Sequence, residues 1–468
     1  MEKTSDKTKP ANRPYKITIA VLSVILAAIL ALQLFYVNGT FAGKTENDPD
    51  KKENTPDKTS SGFSLSHEGY ELEQVVILSR HNIRSPLSGG DSLLGTITPN
   101  EWFSWSSSPS ELSLRGGALE TLMGQYFRKW LEAEKLFPEN YRPEGEEVRI
   151  YSNSKQRTIA TAKYFSAGLL PASNTEVEYH MEFDKMDPVF TPQFTYISDK
   201  YVKDAEAQIK KLFSEKIAGL KDNYELISDV IDMKNSPAWK DGKVTDLVTD
   251  DLTLILKEYA EPGMSGSLKT ACSVSDALVL QYYEEADAEK AAFGHDLSFE
   301  QWKAISEIKD LYGDVLFTAP LVCVNVAHPL LSEIEDEMNA EGRKFTFLCG
   351  HDSNVGSVLA ALEAEEYELP EAIESKTPIG CKLVFSKWKN ASGERFYSVD
   401  LVYQSVGQLR GLKMLDLDNP PVVYPVAFKG MNRNADGLYP EISVNERFKT
   451  AIAAYDDLTR YDTLRPAA

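Results

Sequence analysis

Two short stretches, RHNIRSP at 80–86 and GHD at 350–352, concentrate the side chains that could do chemistry. Arg80, His81 and Arg84 fall within five residues, directly after the apolar run EQVVILS at 73–79. A strand entering a core seldom ends in two guanidinium groups and an imidazole unless something anionic meets them. Two further transitions of the same kind follow. VRIYS (148–152) runs into NSKQRTIATAKYF, where Asn153 or Ser154 can cap a helix that carries Arg157 in its first turn. KFTFLCG (344–350) runs into HDSNVGSVLAALEA, which brings His351 and Asp352 to a helix start. A single basic residue usually decorates a solvated loop. Three arginines and two histidines at three strand ends instead describe a pocket for a dianionic group, because guanidinium forks match phosphate oxygens.

The tripeptide GHD occurs twice, which gives an internal control. Gly294-His295-Asp296 precedes Ser298 and Gln301, a capping-box spacing, so it reads as the lead-in to a helix. Only the second copy follows a strand. His67, His180 and His328 have no motif context. There is no HExxH, no carboxylate set at ligand spacing and no CxxC, so neither a metal nor another cofactor is expected. Cys349 and Cys381 lie in apolar strand-like runs and read as free buried thiols; with Cys272 and Cys323 they leave one or two disulfides open.

Strands followed by helices predict an α/β fold with a mainly parallel central sheet flanked by helices. Ligands of such sheets bind beyond the carboxyl ends of the strands, where all three polar clusters fall. Between 191 and 335, segments such as SDKYVKDAEAQIKKLFSEKIAGL and LSFEQWKAISEIKDLYGDVLF carry helical apolar spacing and little strand character. They predict a mostly helical cap, which divides the α/β domain into 67–190 and 336–468. CKLVFSKWK and RFYSVDLVYQ in the second part look like antiparallel strands.

The 468-residue chain has a net charge of −21, which argues against a general nucleic-acid partner. Residues 17–37 contain no charge and are long enough to cross a bilayer. The tail at 1–16 carries five basic residues against two acidic ones, which keeps it in the cytoplasm and sends the rest outward. A single-pass membrane anchor is expected. The alternative is a signal peptide cleaved after Ala42, giving a periplasmic or secreted protein. Residues 38–66 are rich in Asn, Asp, Lys, Thr, Ser and Gly and read as a disordered tether.

RHNIRSP resembles the RHGxRxP signature of the histidine acid phosphatases, and GHDSN resembles their second motif. Asn82 stands where most members have glycine; asparagine tolerates left-handed backbone angles, so the exchange is physically mild. YSNSKQRTIATAKYF, MDPVF, NSPAW, EPGMSGSLK, LQYYE, KTPIGCKLVF and VYQS are similar to the bacterial glucose-1-phosphatase subgroup, with phytases as a close variant. The resemblance runs from about Leu72 to the C-terminus. It implies an acid phosphomonoesterase acting on a small phosphate ester without a cofactor. His81 would be the nucleophile and Asp352 the leaving-group acid. Arg80, Arg84, Arg157 and His351 would hold the phosphoryl oxygens, and Glu261 in AEPGMSG would face the substrate from the cap. Two other readings share the fold: a silent anion-binding protein, which has no chemical reason to keep both His81 and Asp352, and a phosphomutase, which the export segment disfavours.

Overall fold

The computed structural model of the chain describes residues 63–88 and 92–460. The expected basic tail, the 17–37 span and most of the tether lie outside the described residues. Among those described, no single helix is long and apolar enough to cross a membrane.

The strands in chain order are β1 (Tyr70–Arg80), β2 (Val148–Ser152), β3 (Thr253–Ile255), β4 (Gly263–Ser265), β5 (Phe345–Gly350), β6 (Lys382–Asn390), β7 (Arg395–Tyr403), β8 (Val422–Pro425) and β9 (Tyr439–Pro440). The principal helices are α1 (Leu114–Ala133), α2 (Gln156–Leu169), α3 (Asp199–Gly219), α4 (Lys221–Val230), α5 (Ser267–Glu284), α6 (Phe299–Phe317), α7 (Pro320–Asn339), α8 (Asp352–Ala361) and α9 (Glu441–Leu458).

The main sheet has the order β2-β5-β1-β6-β7-β8, with β9 added to β7. Only β2, β5 and β1 are mutually parallel; every pairing from β1 to β6 onward is antiparallel. The sheet is therefore mixed, which corrects the expectation of a mainly parallel one. The reason is local: β6 and β7 are joined by a four-residue turn at 391–394, and a connection that short can only reverse the chain.

Alternation along β1 separates two cores. Val75 and Ile77 pack with Phe127, Trp130 and Phe165 of α1 and α2, whereas Val76 and Leu78 pack with α7, α8 and α9. The cap core is built from α3, α4, α5 and α6. The expected cap boundary at 335 falls inside α7, whose Val322 and Val326 pack into the cap core and whose Leu330, Leu331, Ile334 and Met338 pack into the sheet core, so α7 belongs to both. The β3–β4 hairpin is the cap's one sheet-like element among the described residues. Leu65, assigned to the tether by composition, is 1% exposed within the α1–α2 core. Burying a leucine stabilises by about 1.5–3 kcal/mol, so the ordered body starts before residue 66.

Candidate active site

The parallel strands end level with one another. Arg80 pairs with Gly350, and Ser152 pairs with Cys349. The ladder continues one step further: the His81 amide donates to the Gly350 carbonyl at 3.0 Å, and the Asn153 amide to the Cys349 carbonyl at 2.9 Å. His81, His351 and Asn153 therefore leave the sheet at one height. They open into a cavity of about 880 Å³ between the sheet edge and the cap, whose lining includes Arg84, Arg157, Glu261 and Asp352.

His81 is 3% exposed, and its Nδ1 lies 2.9 Å from the Asn82 carbonyl. A carbonyl can only accept, so Nδ1 carries the proton and Nε2 keeps its lone pair. Burial, and then the charges of Arg157 and Arg84 and the neighbouring His351 ring, hold the imidazole well below its usual range. That shift favours the neutral ring.

His351 stands beside it, ring centroids 5.5 Å apart. The Asn153 side-chain oxygen accepts from the Asp187 amide at 2.9 Å, which turns its Nδ2 toward His351 Nε2 at 2.7 Å. His351 Nε2 is thus an acceptor, and its Nδ1 is a donor. That donor lies 3.4 Å from Arg157 Nη2, so two donors stand side by side at the cavity wall, where one anionic oxygen can accept from both. The sequence offers Asn153 or Ser154 as the cap of α2, but Lys155 occupies that position, without a side-chain bond. Arg157 is in the first turn of α2, and burial together with Arg84 brings its guanidinium down to about 10, still cationic in acid and at neutral pH.

Arg80 is 1% exposed, with Nη1 2.6 Å from Glu374 Oε1 and Nη2 3.5 Å from Asp352 Oδ2. Arg84 Nη2 is held by both oxygens of Asp276, at 3.1 and 3.3 Å, across the cleft on α5. The Nε groups of Arg80, Arg84 and Arg157 are buried without a partner. Asp352 opens α8, and its side chain is 39% exposed at the cavity wall. Burial pushes its carboxyl up, but Arg80 and Lys309 outweigh that, and it lies well below the usual carboxylate range. Glu261, in the turn of the β3–β4 hairpin, borders the cavity; enclosure by protein raises its carboxyl, partly offset by Arg157.

The structure thus brings His81, Arg84, Arg157, Glu261, His351 and Asp352 to one cavity, with Arg80 buried behind Asp352. The control tripeptide behaves as its spacing predicts: Ser298 and Gln301 form a capping box, and His295 and Asp296 are exposed ahead of it. His67, His180 and His328 pack against Trp388, Tyr151 and Tyr455, outside the cavity lining. All four cysteines are unpaired. Asn82 is not in the left-handed region, which corrects the reason given for tolerating it. Its side chain donates to Glu120 at 2.9 Å and accepts from the Ile83 amide at 2.8 Å. The glycine-only position is Gly380, at φ +68°, where an added Cβ would sit 2.4 Å from Asn82 Nδ2. Sequence reading took Asn153 for a helix cap and missed Asp276, Lys309 and Glu374, each of which carries a polar group to the site from an element with no motif of its own.

Comparison with known proteins agrees with this geometry. The chain is 37% identical over 377 residues to a glucose-1-phosphatase of Salmonella typhimurium, covering 80% of this chain and 91% of that protein. It is 39% identical over 356 residues to a glucose-1-phosphatase of Providencia rettgeri, covering 75% and 84%. In fold it is similar to the Hafnia alvei phytase solved in complex with tartrate, with a TM-score of 0.74 at 24% identity over 83% of this chain and 98% of that one. The family model of the histidine phosphatase superfamily, branch 2, matches residues 71–404, and the chain belongs to that family.

Proposed function

We propose that the chain is a metal-independent acid phosphomonoesterase that hydrolyses sugar monophosphates such as glucose-1-phosphate through a phosphohistidine. The observation that carries this reading is a buried His81 whose Nδ1 faces the Asn82 carbonyl, which leaves Nε2 for attack, beside the charges of Arg157, Arg84 and Arg80. The glucose-1-phosphatases reported above support the choice of substrate.

In the first step Nε2 attacks phosphorus and an N–P bond forms. The P–O bond to the sugar breaks, its electron pair stays on the sugar oxygen, and that oxygen takes a proton from Asp352. The phosphoryl oxygens rest on the three arginines and on the Nδ1–H of His351, which offset the charge that builds in transfer. In the second step water attacks phosphorus and gives its proton to Asp352. The N–P bond breaks, and its electrons return to Nε2. Asp352 is ionised in the empty site, so it takes up its proton with the substrate, whose negative charge compensates the neighbouring cations. Glu261 and Asp276 stand on the cap side of the cavity. Carboxylates there accept hydrogen bonds from sugar hydroxyls and repel further phosphates, which favours a monophosphate over an inositol polyphosphate. By the same proposal residues 17–37 anchor the enzyme with its catalytic body outside the cytoplasm. A native chain starting at Gly43 would replace the anchor by a cleaved signal.

Leaving-group dependence tests the roles. His81→Ala should abolish activity on every substrate. A general acid contributes about 10²–10⁴-fold, and only where the leaving group needs a proton. Asp352→Asn should therefore lose far more activity on glucose-1-phosphate than on p-nitrophenyl phosphate, with EDTA present throughout. Equal losses on both would remove Asp352 from its role, and restoration by a divalent ion would overturn the metal-free mechanism.

A further inference from the structure

The cap supplies a cation that neither sequence motif contains. Lys309 lies on α6 and is 8% exposed, with its Nζ bordering the cavity. Nζ is 2.8 Å from Glu374 Oε1 and 3.6 Å from Asp352 Oδ2. Arg80 reaches the same two acids from the sheet, at 2.6 and 3.5 Å. Glu374 is fixed in turn: its Oε2 accepts from the Ile379 amide at 2.8 Å, and although burial pushes its carboxyl up, Arg80 and Lys309 outweigh that and hold it down at about 2. One carboxylate, Glu374, therefore pins both cations, and the pinned cations bracket the second carboxylate.

Lys309 differs from Arg84 and Arg157 in its contacts: like Arg80, it is held by Glu374, whether or not a phosphoryl group is bound. We propose that Lys309 is a positioning residue that acts through Asp352: its fixed charge favours the ionised carboxylate that must take a proton from water in the second half-reaction. This rests on the assignment of Asp352 as proton donor and acceptor.

The other groups around Asp352 are accounted for. Arg80 and His81 face it from the end of β1, His351 from the residue before it, and Arg157 from α2. On the cap side Glu261, the Cys272 thiol and the Tyr312 phenol feel its charge. Among these, Arg80 and Lys309 are the cations that form an ion pair with it. Arg80 reaches it from the sheet, buried behind the cavity wall, and Lys309 from the cap, at the wall itself.

Removing that charge makes Asp352 hold its proton to higher pH. Donation to the sugar oxygen then persists further into alkali, and acceptance from water begins later from acid. Lys309→Met should therefore displace both limbs of the glucose-1-phosphate pH profile upward, and Lys309→Arg should restore them. At the acid end, phosphohistidine at His81 should accumulate severalfold above wild type with p-nitrophenyl phosphate, because dephosphorylation lacks its base. Lys309→Gln, which keeps a hydrogen bond to Glu374, should shift the profile in the same direction and serves if the methionine variant does not fold. Limbs that stay in place while activity falls at every pH would overturn the proposal and leave Lys309 a packing residue. A parallel Asp352→Asn assay separates the two failures. If Asp352→Asn loses equally on both substrates, the assignment of Asp352 is at fault; if its loss is selective and the Lys309 profiles do not move, only the role of Lys309 is.

Discussion

Asn82 donates to Glu120 and accepts from the Ile83 amide, and both bonds are shielded from water. Glu120 is also held by Lys382 at 2.8 Å, and both are fully buried. Asn82 therefore braces the loop whose carbonyl fixes the proton on His81 Nδ1. Asn82→Ala leaves Glu120 short of a donor and the Ile83 amide without an acceptor. A buried unsatisfied group costs about 1–3 kcal/mol, so the variant should lose on the order of that stability in denaturant titration. An unchanged midpoint would show that water replaces both bonds. At this scale the sequence was informative about residues whose neighbours in the chain already make a pattern. Arg80, His81 and Arg84 follow a β-branched run, and His351 and Asp352 follow another. It was silent about Lys309, Glu374 and Asp276. Their partners are tens to hundreds of residues away, and each alone reads as one more charged residue on a helix or loop.

β7, the last strand but one of the sheet, carries a buried acid. Asp400 faces Val384 on β6 and Pro425 on β8, is 4% exposed, and has one oxygen without a partner. Burial pushes its carboxyl up to about 7, against the lowering effects of a Ser398 hydrogen bond and Arg433. Between the ordinary carboxylate value and about 7 the unfolded chain releases this proton while the folded chain keeps it, so folding loses stability as pH rises through that window. Above about 7 the loss is complete; below about 4 it is absent. Asp400→Asn removes it, and Tm should rise by a few degrees at pH 8 and hardly at all at pH 4. A uniform gain across pH would mean that packing, rather than ionisation, was improved. The strand itself was legible from its alternation. The parallel-to-antiparallel change was half legible: β6 and β7 looked antiparallel, but nothing in β1 indicates that β6 would pair beside it. The layer that α7 joins was not legible either, because an amphipathic helix shows that it has a buried face and not which core receives it.

At the scale of the whole molecule, Arg84 belongs to the sheet body and Asp276 to the cap, and their ion pair spans the cleft where the phosphoryl group is proposed to bind. Inorganic phosphate, once released from His81, is as good an anion for Arg84 as the ester was. Without Asp276 the departing product would leave a buried guanidinium with no counter-charge, and the site would hold on to phosphate. Asp276 already holds Arg84, so on the proposed mechanism the cap's own acid would displace the product at the end of each turnover. Asp276→Asn should lower the inhibition constant for inorganic phosphate by roughly tenfold, as for a charge-assisted bond worth about 1.5 kcal/mol. It should also make steady-state hydrolysis slow sooner as phosphate accumulates; an unchanged inhibition constant would show that Asp276 does not compete. A pair that looks like a structural tie in the empty molecule thereby sets how much free phosphate the enzyme can work against.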